Sequence, residues 1–492
     1  VLYNSIEYFL FLSVLLVVYW KAPQKARNPI LIVASLVFYA YWSIAFLLHY
    51  VIILALNFPL FLAILKNRSK WAMRAALVLD FGNLIFFKYF YFMIRTIENF
   101  VPAEYRGTLS QINPDNGEIL PIIILPLAIS FYTFQIVAFH VDAYRGEVTE
   151  APGFWKYFLF ISYFPQHIAG PIIRHHHLLK QLDEPRDPSK VDVHRALALI
   201  GMGVFKKVII ADTFAGMAAQ ITRNPEKYDP AFVILGSVFF AIQVYSDFAG
   251  YSDIARGSSL LLGFELPVNF RGPFFQLSYQ EHWQRWHITL SFWLRDYLYI
   301  ALGGNRQGKF RSHLYLLITF ILGGLWHGAG WGFVIWGTLV GSLLVLERIC
   351  RDLGWISVQE TWGRRDQESS KSYSIRTVRN LSRMSLIFGL IVAGGIFFNA
   401  GLDVSVAMRN FTAIFNPEAD TKEFGLNSWH GLLFLAFLFL HWLEYQDFAP
   451  VFRLREKYTH LERPVIAISA VLLMFLMSWK AAGNTSFVYF QF

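Results

Sequence analysis

The stretch QEHWQRWHITLSFWLRDYLYI, residues 280–300, and the stretch LGGLWHGAGWG, residues 322–332, put histidines and arginines into a chain that is otherwise mostly apolar. Imidazole can accept a proton from one group and return it to another near neutral pH. If 281–298 forms one helix, Gln284, His287, Ser291 and Arg295 fall at spacings of three, four and four, on one polar face able to meet a substrate. Glu281 and Arg285 would form a separate i,i+4 pair. The competing reading is an interfacial helix whose charges snorkel and whose Trp283, Trp286, Trp293, Tyr297 and Tyr299 mark the headgroup level. His327 carries more weight, because no Asp, Glu, Lys or Arg occurs from 312 to 346 and a polar group inside a membrane is costly enough to be functional by default. Trp326, its neighbour, is a candidate substrate contact. The alternative for His327 is a satisfied structural histidine beside a glycine packing seam.

The elements that must hold these residues are membrane helices. The chain has 492 residues, 55% hydrophobic and 16% charged, with a mean hydropathy of +0.41. Apolar stretches recur from end to end without the alternation of a β-barrel, so helices must satisfy the backbone. The predicted fold class is all-α: a polytopic integral membrane protein of about 11 transmembrane helices with re-entrant or interfacial helices. Spans are expected at about 5–20, 29–46, 51–65, 75–97, 119–140, 193–217, 229–250, 312–346, 380–398, 428–444 and 461–482, with a tight hairpin turn around His49 and Tyr50. The stretch 153–172, broken by Pro165, Gly170 and Pro171, could be re-entrant. A straight helix over 312–346 would be roughly 52 Å long, well beyond the hydrocarbon core of about 30 Å, so it must tilt, bend or break. The expected place is 322–332, where Gly324, Gly328 and Gly332 recur every four residues and permit close helix contact.

Basic residues in the short loops give an orientation. Lys21, Lys25 and Arg27, with Lys66, Arg68, Lys70 and Arg74, mark one side as cytoplasmic, which places the N-terminus outside; the loop 101–118, poorer in base, fits the outer face. The formal net charge of +9 is then membrane topology and needs no nucleic acid. The first apolar segment lacks a basic leader and a small-residue cleavage pattern and reads as a retained span. Cys350 is the only cysteine, so neither an intrachain disulfide nor a cysteine metal cluster can form. The run His175, His176, His177 is a poor metal site, since adjacent residues on a helix splay apart, and no metal is expected.

GGLWHGAGW with His327, WHITLSFWLRDYLYIALGGNR from 286 to 306, YSDFAGYSDIARG from 245 to 257, and SFYTFQ from 130 to 135 followed by DAYRG from 142 to 146 resemble the membrane-bound O-acyltransferase family, in its bacterial polysaccharide O-acetylation branch. The resemblance runs from LYNSIEYFLFL at the N-terminus through at least Glu347. It implies one membrane-embedded acyltransferase domain over 1–492, with a core at about 120–347, further spans at about 380–482, and a fold enclosing a tunnel. It matches the family's invariant histidine to His327 and its second motif histidine to His287, the two expected catalytic residues. The alginate member of the branch usually has phenylalanine where this chain has His282, so His282 inherits no role.

The implied reaction is acyl transfer, with acetyl-CoA as cytoplasmic donor substrate and no permanently bound cofactor; the residues that would bind the donor are not indicated. A hydroxyl is a weak nucleophile, so a base within about 2.6–3.2 Å must remove its proton as it attacks the thioester carbonyl. His327 is the expected base. His287 would orient the acceptor or stabilise developing charge, with Gln284, Ser291, Arg295 and Trp326 as substrate contacts. No GxSxG elbow, Walker loop or Rossmann fingerprint offers a different chemistry. The expected partners are membrane lipids and an extracytoplasmic glycan, such as alginate or another exopolysaccharide, or a partner acetyltransferase that completes the transfer, since no soluble segment here is long enough to do so. The expected location is the bacterial inner membrane. Peptidoglycan O-acetylation and aminoacyl transfer from a carrier protein are the alternatives within the enzyme class. A transporter or a scaffold for extracellular transferases are the alternatives outside it.

Overall fold

A computed structural model describes residues 3, 5–102, 125–168, 170–356, 369–416 and 425–448. Among these there is no β-strand. Five helical stretches, Ile44–Asn67, Lys70–Glu98, Pro230–Leu261, Trp331–Asp352 and Ser370–Ala400, are each long and apolar enough to cross a membrane. The all-helical class follows directly from the apolar sequence. The expected count of about 11 crossings is not confirmed: the helices at 5–20 and 29–46 have only 16 and 17 residues, and 193–217 is divided by a π-helical segment. The span expected at 461–482 lies outside the described residues, as do most of the loop 101–118 and the start of the span expected at 119–140.

The chain divides into two compact units, Val1–Ala196 with Ala255–Pro267, and Leu197–Ile254 with Val268–Phe492. The first contains α1 (Ile6–Lys21), α2 (Gln24–Ala40), α3 (Ile44–Asn67), α4 (Lys70–Leu84) running through a π-helical turn (Ile85–Tyr89) into α5 (Phe90–Phe100), then α6 (Ile129–Arg145), α7 (Phe154–Ser162), α8 (Phe164–His167) and α9 (His175–Asp183). Serines start three of these helices. Ser5 accepts from Tyr8 N–H at 3.2 Å, Ser43 from Phe46 N–H at 3.4 Å and Ser69 from Ala72 N–H at 3.2 Å, each filling an orphan donor of a first turn.

The Ser43 cap also moves the expected hairpin turn. His49 and Tyr50 lie inside α3, where His49 Nε2 meets Asn83 Oδ1 at 2.9 Å and the Tyr50 ring stacks on Tyr39 at 4.9 Å. Arg68 donates to the carbonyls of Ala143 and Tyr144 at 2.8 and 2.6 Å, a cation on the negative end of α6. The broken character of 153–172 is observed, with α7 and α8 separated at Tyr163. Residues 255–267 complete this unit: Tyr8 O–H donates to Ser258 Oγ at 2.9 Å and Trp20 Nε1–H to Leu261 O at 3.0 Å.

The second unit holds most of α10 (Val193–Val204), a π-helical segment (Phe205–Ala211), α11 (Asp212–Arg223), and α12 (Pro230–Leu261) as far as Ile254. It continues with α13 (Tyr279–Arg285), α14 (Ile288–Trp293), a second π-helical segment (Leu294–Tyr299), α15 (Ile300–Leu302), α16 (Lys309–His327), α17 (Trp331–Asp352), α18 (Ser370–Ala400), α19 (Val404–Ala413) and α20 (Ser428–Tyr445).

The single helix expected over 281–298 does not form. Trp286 is extended and His287 is left-handed, with φ 41°. The break is held by hydrogen bonds that a continuous helix could not make: Ile288 N–H donates to Asn269 O at 2.9 Å, and Ser291 Oγ–H to Trp283 O and Trp286 O at 3.1 and 3.3 Å. The expected break in 312–346 does form, at 328–330. There α16 and α17 turn back on each other as a hairpin.

Candidate functional site

His327 is the last residue of α16, and Gly328 and Gly330, both extended, carry the chain across the break into α17. The hairpin packs backbone on backbone. A Cβ added to Gly324 would lie 2.3 Å from Phe333 O, and one added to Gly337 2.4 Å from Phe320 O. The other two glycines of the four-residue repeat serve other contacts: a Cβ on Gly328 would strike the Phe333 ring at 2.1 Å, and one on Gly332 would reach Gly401 O at 2.6 Å. Gly332 N–H donates to that same Gly401 carbonyl at 3.1 Å, anchoring the hairpin tip to the end of α18.

The His327 ring is enclosed by aromatic rings. Trp336 lies at 5.1 Å and 88°, Phe398 at 5.1 Å and 74°, and Trp326 at 4.8 Å and 69°. It lines a cavity of about 60 Å³ together with Phe240, Ala241, Val244, Phe274, Tyr279, His282, Trp283, Trp286, Trp336, Ile391, Gly394, Gly395 and Phe398. That is several times the roughly 10–15 Å³ that holds one water, and suits an acyl group or the edge of an acceptor rather than a nucleotide. Gly394, Gly395 and Phe398 come from α18, so the helices after Glu347 help build the cavity wall.

His287 is buried but is not among the residues lining that cavity. Its Nδ1 lies 3.1 Å from Asn269 Oδ1, its ring meets Phe248 edge-on at 4.6 Å, and Trp326 is 6.1 Å away. Trp326 therefore contacts both expected catalytic histidines. Burial pushes the His287 imidazole down to about 3, so it is neutral at pH 7.

The remaining members of the expected polar face are dispersed by the break at 286–287. Gln284 is exposed. Ser291 is spent on the backbone bonds already described. Arg295 is exposed, pairs with its neighbour Asp296 at 2.6 and 3.0 Å and lies over Phe292 at 4.7 Å. Arg285 does not take up the pair expected with Glu281; it donates to Arg271 O at 3.2 Å and lies over Tyr445 at 4.9 Å.

The cavity contains a histidine that sequence reading set aside. His282 is 1% exposed, its ring lies nearly parallel to Phe274 (17°) and Trp286 (23°) at 5.8 Å from each, and its Nδ1 is 3.0 Å from Pro273 O. Burial holds this imidazole at about 4. The signal was present, a second histidine one turn before Trp286, but nothing in periodicity distinguishes it from an interfacial side chain.

Two adjacent lysines form a buried charge network. Lys206 Nζ pairs with Asp253 at 2.6 Å and with Glu444, and Glu444 also accepts from Tyr245 O–H. Lys207 Nζ pairs with Asp212 at 2.9 Å and Asp247 at 2.8 Å. The π-helical turn around them and the Tyr245–Asp253 stretch supply most of these groups, and α20 contributes Glu444. In α20, His441 Nε2 accepts from Phe274 N–H at 2.9 Å and its ring stacks on Phe274 at 5.0 Å, so a C-terminal helix braces a cavity-lining residue. The HHH run is not free either: His175 Nδ1 lies 2.9 Å from Asp142 Oδ2.

Comparison with known proteins matches residues 29–376 to the model of the MBOAT, membrane-bound O-acyltransferase, family. A probable alginate O-acetylase of Pseudomonas putida is 32% identical over 516 aligned residues, covering 99% of both chains. A peptidoglycan O-acetyltransferase of Helicobacter pylori is 35% identical over 69% of this chain and 69% of its own. A teichoic acid D-alanyltransferase of Lacticaseibacillus rhamnosus is 27% identical over 58% of this chain and 77% of its own.

Proposed function

Because the chain belongs to the membrane-bound O-acyltransferase family, we propose that it moves acetyl from cytoplasmic acetyl-CoA to an extracytoplasmic polysaccharide, directly or through a partner acetyltransferase, at the bacterial inner membrane. The observation that carries this reading is His327, set at the tip of the α16–α17 hairpin and facing a cavity of acyl-group size. The end-to-end similarity to a probable alginate O-acetylase supports a secreted polysaccharide as acceptor. The peptidoglycan O-acetyltransferase, similar over 69% of this chain, is the observation favouring cell-wall glycan as the second reading.

In this mechanism His327 accepts the proton of the acceptor hydroxyl as its oxygen attacks the thioester carbonyl. The carbon–sulfur bond then breaks, and the same imidazolium returns the proton to the departing thiolate, releasing CoA. The aromatic wall excludes water, which would otherwise compete as acceptor. The CoA nucleotide is too large for the cavity and would remain outside it, with the thioester reaching His327 through a tunnel from the cytoplasmic side. His287 acts from behind Trp326 as a positioning residue.

Purified protein given acetyl-CoA and a polysaccharide acceptor should release free CoA. His327→Ala should lower the rate by at least about 100-fold, the lower end for loss of a positioned general base, while folded protein is retained. Loss in the His287→Ala variant should combine with it non-additively if both serve one transition state. Near-wild-type turnover by folded His327→Ala would refute the base assignment. Activity with a charged carrier protein but not with acetyl-CoA would refute the donor.

A further inference from the structure

His282 shares the cavity with His327, and nothing in the reaction as described uses it. Its environment fixes what it can do. The Pro273 carbonyl can only accept, so the ring Nδ1 at 3.0 Å must donate to it, and Nε2 carries the lone pair. The ring is held by near-parallel contacts with Phe274 and Trp286, and Phe274 is itself stacked on His441. A neutral imidazole locked in this way presents the cavity with a hydrogen-bond acceptor.

His327, in its role as base, takes the single hydrogen of the attacking hydroxyl. That hydrogen cannot also serve His282. A second acceptor lining the same cavity of about 60 Å³ is satisfied by a substrate that carries a second donor close to the reacting one, and an unpaired acceptor in an aromatic enclosure is costly. Resting on the acyltransfer reading above, we propose that His282 determines acceptor specificity: its Nε2 accepts a hydrogen bond from a hydroxyl next to the attacking one, so the acceptor class is a polyol with neighbouring hydroxyls, as on a glycan ring.

The proton balance of the reaction is unchanged, since the hydroxyl bound by His282 keeps its hydrogen. A serine on a partner protein offers one hydroxyl and would leave Nε2 unmatched.

The test compares wild type, His282→Phe and His282→Gln in the full-length protein, using whichever of acetyl-CoA or an acetylated carrier protein supports wild-type turnover, so that a wrong donor does not count against His282. The acceptors are a methyl hexopyranoside and its counterpart lacking one of two neighbouring hydroxyls. His282→Phe keeps an aromatic ring between Phe274 and Trp286 and should lower kcat/KM for the diol about 10-fold, with little change for the deoxy acceptor; His282→Gln, which retains an acceptor, should recover part of the loss. Equal rates for wild type and His282→Phe on the diol would overturn the proposal. So would equal losses on both acceptors, a change confined to the donor KM, or a wild-type preference for a serine-bearing peptide.

Discussion

Asn269 decides which nitrogen of His287 is available. Its Oδ1 lies 3.1 Å from His287 Nδ1 and also accepts from Thr289 N–H at 3.3 Å and Thr289 Oγ1–H at 3.0 Å. A backbone N–H can only donate, so the atom at the centre of these contacts is the amide oxygen, Nδ1 bears the hydrogen, and the lone pair sits on Nε2. Among the described residues that Nε2 has no hydrogen-bond partner. The same oxygen serves the first turn of α14, whose N-cap residue, left-handed His287, provides no side-chain cap.

Replacing Asn269 with Leu strands buried donors on His287 and Thr289, and should destabilise the folded protein by about 1–3 kcal/mol. Asn269→Asp keeps an acceptor and should lose less. Thermal unfolding of the detergent-solubilised variants checks the order, and nitrogen chemical shifts of labelled histidine check that the Nδ1–H form is lost only in the Leu variant. Equal stability of Asn269→Leu and wild type would contradict this account.

Glu444 should matter out of proportion to its distance in the sequence from the motifs around His287 and His327. It lies beyond residues 29–376, the extent of the family match, yet it holds Lys206 and Tyr245 in the interior. Removing one partner of a buried pair leaves a charge uncompensated, typically costing about 3–5 kcal/mol; with Asp253 still on Lys206, Glu444→Ala is expected at the lower end. Replacing Glu444 and Lys206 together with apolar residues should cost less than the sum of the single changes. Chemical unfolding of the four proteins tests this, and additive losses would count against a coupled network.

At Gly337, a side chain has nowhere to go. Its Cβ would meet backbone, Phe320 O at 2.4 Å, whereas the one on Gly341 would first meet the flexible Leu317 Cδ1 at 3.0 Å. Gly337→Leu should therefore separate α16 from α17, lower stability by about 1–3 kcal/mol or more, and reduce acetyl transfer by displacing His327. Gly341→Ala should be the milder change. Comparing melting temperature and turnover of the two variants would settle it, and equal tolerance at both sites would show that the hairpin is not closely packed.

Much of the architecture was legible because lipid permits few solutions. Apolar segments with no alternation must be helices, a 312–346 stretch too long for the bilayer must break, and glycine at 324, 328 and 332 marked where; the break at 328–330 and the position of His327 at its edge followed from length and composition. The family itself was readable from the ordered motifs around His287 and His327. Periodicity failed at Trp286 and His287, because a polar face at helical spacing exists only if the helix is continuous, and continuity was decided by Asn269, outside the helix. That single non-local contact sent His287 toward Phe248, spent Ser291 on backbone carbonyls, and left Gln284 and Arg295 exposed. Tertiary packing likewise brought α18 to the cavity, set α20 behind Phe274, and put His282 in the same cavity wall as His327. The physical reason is one of range: burial and bilayer length act on each segment alone and can be read along the chain, whereas the partner of a buried polar atom comes from wherever packing places another segment.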